Sequence, residues 1–180
     1  MIIRSKAPLR LGLAGGGSDL DPYCSEFGGL VLNSTINLYS HCTIVERDDN
    51  LIKFTAQDIH CSEEIQSSKF IEPVGDLCLH KGVYNRIIKD FDLKPLSFNL
   101  ITRSDAPPGS GLGSSSAIVV GMVKAYVEWL NLPLGEYEIA FLAYQIERVD
   151  LKLSGGKQDQ YAAAFGGFNL MEFYSNNRTI

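Results

Sequence analysis

Apolar and polar residues alternate with a two-residue period through much of the first hundred positions, and a helical period takes over afterwards. Ile2 to Ser5 and Leu9 to Leu13 predict two short strands around Pro8, and the run Gly15-Gly16-Gly17 ends that pattern. Ser18 is placed to cap a short helix reaching Glu26, with Asp19 and Asp21 in its first turn. Leu30 to Asn37 and Tyr39 to Arg47 are alternating and β-branched, so both predict strands, and Asp48-Asp49-Asn50 turns the chain into a further strand at Leu51 to Thr55. The mixed, polar stretch from Ala56 to Gly75 predicts an irregular excursion.

Helical spacing of Leu77, Leu79, Val83, Ile87 and Ile88 predicts a helix over Asp76 to Phe91. Leu96 to Arg103 reads as a strand with Phe98, Leu100 and Thr102 on one face. Ser114 to Leu130 is a long helix whose broad apolar face includes Ile118, Val119, Met122, Tyr126 and Trp129, closed by Asn131-Leu132-Pro133. A helix over Gly135 to Val149, a loop at Ser154-Gly155-Gly156, a helix from Gln158 to Phe165 and a strand from Gly167 to Phe173 complete the pattern. There is no internal repeat or low-complexity linker, and irregular alternation of strand and helix predicts one α+β domain over residues 1–180.

The chain has 180 residues, 45% of them hydrophobic and 21% charged, enough for one well-buried core. A formal net charge of −5 argues against nucleic acid or an anionic membrane as the main partner. Cys24, Cys42, Cys61 and Cys78 have no CxxC spacing and read as reduced thiols, and a zinc site from Cys61, Cys78, His60 and His80 is poorly spaced. The first residues lack the apolar core of a signal peptide, and no apolar run is long enough to cross a bilayer, so a cytoplasmic location is expected.

Chemistry concentrates in three clusters. The first is Pro107 to Ala117, directly ahead of the long helix, where Gly109, Gly111 and Gly113 alternate with Pro108, Ser110 and Leu112 and run into Ser114, Ser115 and Ser116. Glycines let backbone N–H groups turn toward one point, and a helix N-terminus adds unpaired donors and a favourable dipole, which together make a phosphate cradle. No lysine follows Gly113 as a Walker loop requires, and the spacing is GxGxG rather than GxGxxG. A plain solvent-exposed turn fits less well with proline stiffness, three glycines and three serines in eleven residues.

The second cluster is Ala7 to Leu20. Gly15, Gly16 and Gly17 allow close approach of a ligand to backbone, Asp19 can accept from vicinal hydroxyls or cap a helix, and Arg10 in an apolar strand needs an ionic partner. In the third, Glu147 and Asp159 flank Ser154-Gly155-Gly156-Lys157, where one carboxylate can hold Mg²⁺ and the other accept a proton, or both can face solvent.

In order and wording these clusters resemble the GHMP kinases, the galactokinase, homoserine kinase, mevalonate kinase and phosphomevalonate kinase superfamily. Pro107 to Ala117 resembles its ATP-phosphate motif, Ala7 to Leu20 its N-terminal motif, and Gly155 to Gln160 the motif with its catalytic aspartate. Arg-Leu-Gly-Leu-Ala-Gly-Gly-Gly-Ser-Asp-Leu and the run from Gly155 to Phe168 most resemble sugar kinases of the D-glycero-D-manno-heptose 7-phosphate type. The resemblance implies ATP held by Pro108 to Ser116, Mg²⁺ held by Ser115 and Glu147, and catalysis by Asp159 with Arg10 beside the transferred phosphate. It implies a sugar phosphate bound by Gly15, Gly16, Gly17, Ser18, Asp19, Gly155 and Gly156, with Lys157 reading the distal phosphate.

A left-handed βαβ unit is implied, as is a C-terminal ferredoxin-like domain that residues 1–180 do not include. The adenine pocket is not assigned by any motif, and Ala56 to Gly75 is its candidate region. Two rival readings are a related kinase of unphosphorylated fucose or arabinose and a non-catalytic nucleotide- or sugar-binding module.

Overall fold

The computed structural model describes residues 1–174 and 178–180. Six strands form one mixed sheet: β1 (Ile2–Ala14), β2 (Gly29–Glu46), β3 (Leu51–Ala56), β4 (Cys61–Gln66), β5 (Phe98–Ser104) and β6 (Phe168–Phe173). The order is β1-β2-β5-β3-β4, with β5 pairing residues 40–46 of β2 and β6 pairing residues 29–34 of the same strand. All pairings are antiparallel except β3 with β5, which the chain joins through β4 and helix α2 (Cys78–Asp90). The expected mixed α+β architecture is what forms.

Helix α3 (Ser114–Leu130) lies across β1, β2 and β5, and α5 (Gln158–Phe165) packs beside it on β1 and β2. Helix α4 (Glu136–Tyr144) covers α3 and α5, and a short α1 (Tyr23–Phe27) precedes β2. The expected alternation on β5 holds, with Phe98, Leu100 and Thr102 all buried. Phe98 sits at the centre of a ring cluster, its centroid 5.7 Å from Tyr126, 5.4 Å from Trp129 and 6.0 Å from Phe54. Such edge-to-face pairs add roughly 0.5–1.5 kcal/mol each beyond the area they bury.

The expected pairs of short strands are two continuous strands instead. β1 runs through Pro8, which an edge strand tolerates because its missing N–H costs no ladder bond. Between Pro8 and Arg10 the register on β2 jumps from Tyr39 to Thr35, a bulge that absorbs the break expected near Leu38.

The helix expected from Ser18 begins only at Tyr23, because Pro22 brings no N–H and the Ser18 hydroxyl bonds Gly15 O (2.7 Å) and Leu30 N (3.1 Å). The excursion from Ala56 hides β4, a polar strand paired to β3 after a turn at 57–60. The helix expected over Gly135 to Val149 stops as an α-helix at Tyr144 and continues as a π-helical turn over Gln145–Asp150.

Candidate active site

The loop after β5 is wound by Gly109, Gly111 and Gly113 at φ values of 79°, 73° and 73°. It hands the chain to α3 at Ser114, so the free N–H groups of that helix open beside it. β1 holds the loop from the other side: Arg10 N donates to Leu112 O (3.1 Å), and Arg10 Nη1 donates to Gly111 O (2.6 Å).

Arg10 also reaches the first turn of α5, where Nε and Nη2 both lie 2.7 Å from Asp159 Oδ1. The ion pair that the sequence demanded for Arg10 is therefore Asp159, 149 residues away. Gly113 is what allows the approach, since a Cβ there would lie 3.2 Å from Asp159 Cγ, on a backbone at φ 73° that disfavours a side chain.

Glu147 is fully buried in the π-helical turn, a type of helix irregularity often found at functional sites. Its Oε1 accepts from Ser115 Oγ (3.3 Å) and its Oε2 from Gln160 Nε2 (2.6 Å), which also donates to Ser116 Oγ (3.1 Å). Burial pushes the Glu147 carboxyl above the ordinary range, and Arg148, 3.8 Å away, offsets this in part. A buried carboxylate under-compensated in charge, next to a hydroxyl, suits a hard divalent cation that completes its shell with phosphate oxygens and water. Among the described residues no three His, Cys, Asp or Glu side chains gather as an all-protein metal site, so the Cys61, Cys78, His60 and His80 combination does not form one either.

Asp19 is 2% exposed, and both its oxygens are occupied within the protein. Oδ2 accepts from the backbone N–H groups of Lys157 (2.9 Å) and Gln158 (3.0 Å), while Oδ1 accepts from Gly17 N (3.2 Å) and Gln158 Nε2 (3.3 Å). Sequence reasoning offered Asp19 to sugar hydroxyls or to a helix cap; the structure uses it to clasp the glycine turn at 15–17 to the segment that carries Asp159. At Gly156 an added Cβ would meet Asp19 Oδ2 at 2.0 Å, so the clasp leaves room for no other residue. Lys157 is buried and holds Nζ 5.4 Å from the Tyr144 ring centroid.

Pro108, Gly109, Gly111, Gly113, Ser114 and Ser115 line one cavity of about 390 Å³ with Arg10 and Asp159, whereas Ser110, Leu112 and Ser116 do not line it. Ser115 lies on its wall and links it to Glu147. Gly15 to Asp19 and Gly155 to Lys157 do not line it; they meet each other through the Asp19 clasp and reach Asp159 through Gln158.

Four residues with no individual role at this site in the sequence reading matter here. Gln160 ties Glu147 to Ser116, and Arg148 carries the 154–156 loop by donating to Ser154 O (3.1 Å) and Gly156 O (3.3 Å). Asp58 and His80 line the far end of the cavity. His80 was detectable, since helical spacing places it with Leu77, Val83, Tyr84 and Ile87 on the buried side of α2. Asp58 lies within Ala56 to Gly75, the stretch offered as a candidate region without any single residue being named.

A glycine-wound loop feeding a helix N-terminus, an arginine–aspartate pair across it and a buried glutamate beside it come together in one region of the chain. The chain carries a GHMP kinase N-terminal domain: residues 79–167 match the family described as GHMP kinases N terminal domain. It is 60% identical over 178 residues to D-glycero-alpha-D-manno-heptose 7-phosphate kinase of Campylobacter jejuni, covering 99% of this chain and 52% of that protein. It superposes with a TM-score of 0.96, at 59% identity, on a D-glycero-D-manno-heptose 1-phosphate kinase from Bacteriodes thetaiotaomicron, covering 100% of this chain and 58% of that one. A galactokinase of Actinobacillus pleuropneumoniae is 30% identical over 162 residues, 89% of this chain and 41% of that protein. The chain thus spans about half the length of the relatives it matches.

No helix among the described residues is long and apolar enough to cross a membrane.

Proposed function

We propose that this chain forms the ATP-binding half of a sugar kinase that phosphorylates the anomeric hydroxyl of D-glycero-D-manno-heptose 7-phosphate. The observation that carries the reading is the meeting of Arg10, Asp159 and the glycine loop in one cavity, with Glu147 and Ser115 at its edge. The heptose-phosphate identity is supported by the 60% identical Campylobacter jejuni relative.

In this reading the β- and γ-phosphates of ATP lie on backbone N–H groups from Gly109 to Ser116. Ser115 and Glu147 hold Mg²⁺, which supplies neutralisation of phosphate charge when bound. Asp159 Oδ1 is held by Arg10, and Oδ2 takes the proton of the sugar hydroxyl. The sugar oxygen bonds the γ-phosphorus as the bond from that phosphorus to the β,γ-bridging oxygen breaks, releasing ADP. Arg10 meets negative charge on the transferring group and supplies, from β1, the cation that a Walker loop takes from its lysine.

Backbone at Gly15 to Ser18 and at Gly155 and Gly156 forms the sugar side, with Lys157 assigned to the distal phosphate. Asp19 acts here as a positioning residue for Gln158 and hence for Asp159, because its oxygens are already committed.

The test is a panel of acceptors offered to a chimera of this chain followed by the C-terminal half of the Campylobacter jejuni relative, with products read by ³¹P NMR. The expected product is a 1,7-bisphosphate, with fucose, arabinose and galactose used about two orders of magnitude less efficiently. Equal use of an unphosphorylated sugar would overturn the heptose-phosphate assignment. ATP binding without transfer to any sugar would leave a binding module instead of a kinase.

A further inference from the structure

Glu147 in the π-helical turn and Gln160 in the first turn of α5 are both fully buried. Gln160 Nε2 donates to Glu147 Oε2 at 2.6 Å and to Ser116 Oγ at 3.1 Å, so the amide is held from two helices. The two oxygens of Glu147 therefore have different surroundings. Oε2 is committed to the Gln160 amide in the core, whereas Oε1 accepts from Ser115 Oγ (3.3 Å), on the cavity wall. Gln160 does not line the cavity, and it acts on anything bound there through Glu147.

The type of donor matters. A lysine or arginine in place of Gln160 would cancel the carboxylate charge as it fixed the side chain. A neutral amide fixes the side chain and leaves the charge in place. Arg148 Nη1, 3.8 Å from Oε1, offsets that charge only in part.

Cation preference follows from how many oxygens a carboxylate can offer. Ca²⁺ takes about six to eight oxygens in a flexible shell and readily uses both oxygens of one carboxylate. Mg²⁺ demands an octahedral shell, keeps several waters and is served by single carboxylate oxygens. A glutamate with one oxygen tied in the core and its rotation blocked has one oxygen to give.

Resting on the reading of Ser115 and Glu147 as the Mg²⁺ pair, we infer that Gln160 is a positioning residue that restricts Glu147 to one-oxygen coordination. It thereby sets the preference of the site for Mg²⁺ over Ca²⁺.

Calorimetric titration of ATP into the folded 180-residue chain, with excess Mg²⁺, excess Ca²⁺ or EDTA, tests this. In the unaltered chain ATP should bind at least about tenfold more tightly with Mg²⁺ than with Ca²⁺. Gln160→Met keeps the length of the side chain and removes the donor, so Glu147 is free to turn and offer both oxygens. The Mg²⁺-to-Ca²⁺ ratio should then fall to within about threefold, whatever loss the two ions share.

A purely structural role for Gln160 predicts instead a lower Tm and equal weakening with both ions. Gln160→Asn withdraws the amide by one methylene and should narrow the ratio in the same direction; it carries the test should the methionine variant fail to fold. A folded variant that keeps the original ratio overturns the inference, as does an unaltered chain that accepts both ions equally. An unaltered chain that binds ATP as tightly in EDTA as with Mg²⁺ overturns the cation reading of Glu147 itself. A folded chain that binds no ATP under any of the three conditions overturns the nucleotide reading.

Discussion

Asp159→Asn lowers turnover by about a thousandfold or more and leaves ATP affinity within a few-fold of the original; that is the expected result of removing a general base without changing its shape. The side chain projects from the first turn of α5 into the cavity, and its carboxylate carbon lies against Gly113. The amide fills the same volume, so the loop and the phosphate N–H groups stay in place. What disappears is the negative charge that takes the sugar proton and pairs with Arg10 at 2.7 Å.

Arg10 does not collapse with its partner, because it keeps its bond to Gly111 O and its main-chain bond to Leu112. ATP affinity in the variant is therefore a control for the loop, and kcat reports Asp159. Measurement of kcat in the chimera and of the ATP dissociation constant in the isolated chain separates the two. A variant whose kcat stays within tenfold of the original removes Asp159 from the proton-transfer role.

Glu147→Gln is expected to move stability and Mg²⁺-dependent binding in opposite directions. The carboxylate is fully buried, and burial raises its pKa, so its charged form is disfavoured in the folded chain. A group with a raised folded pKa contributes stability below its unfolded value and loses it as pH rises through the folded value. At neutral pH the charge is therefore a cost to folding.

Glutamine keeps the shape, and its carbonyl oxygen can still accept from Gln160. Because the raised pKa marks the charge as a net cost even beside Arg148, removing it should raise Tm. ATP binding in the presence of Mg²⁺ should weaken at least about tenfold, and its dependence on Mg²⁺ concentration should flatten. Thermal melts and titrations with and without Mg²⁺ read both effects. A lower Tm with unchanged Mg²⁺ dependence would make Glu147 the structural partner of Arg148 instead of a cation ligand.

The phosphate loop was legible in the sequence because its conformation is local. Alternate glycines reach positive φ without steric cost, and a serine run ahead of an apolar period marks a helix start. The bounds of α3 at Ser114 and Leu130 and the buried face of β5 followed for the same reason, since a long period or a clean alternation leaves little freedom.

β4 was not legible because Cys61 to Gln66 is an edge strand with no continuous apolar face. Nor was the passage of β1 through Pro8, which depends on that strand having a neighbour on one side. The clasp joins Asp19 to Lys157 N across 138 residues, and no local pattern announces which carboxylate will be consumed by main-chain donors. The π-helical turn at Glu147 likewise answers to Gln160 and Ser115 on other helices, so its sequence reads as ordinary helix.

The central claim is that Arg10, the glycine loop and Asp159 form a nucleotide phosphate site within these 180 residues. It is tested most directly by titrating ATP with Mg²⁺ into the folded chain and watching the backbone amide signals of Gly109 to Ser116 by NMR. Saturable one-to-one binding, with the largest shifts in that loop and at Arg10, is the result expected. A folded chain whose loop amides do not respond to ATP, or respond no more than those of β4, would contradict it.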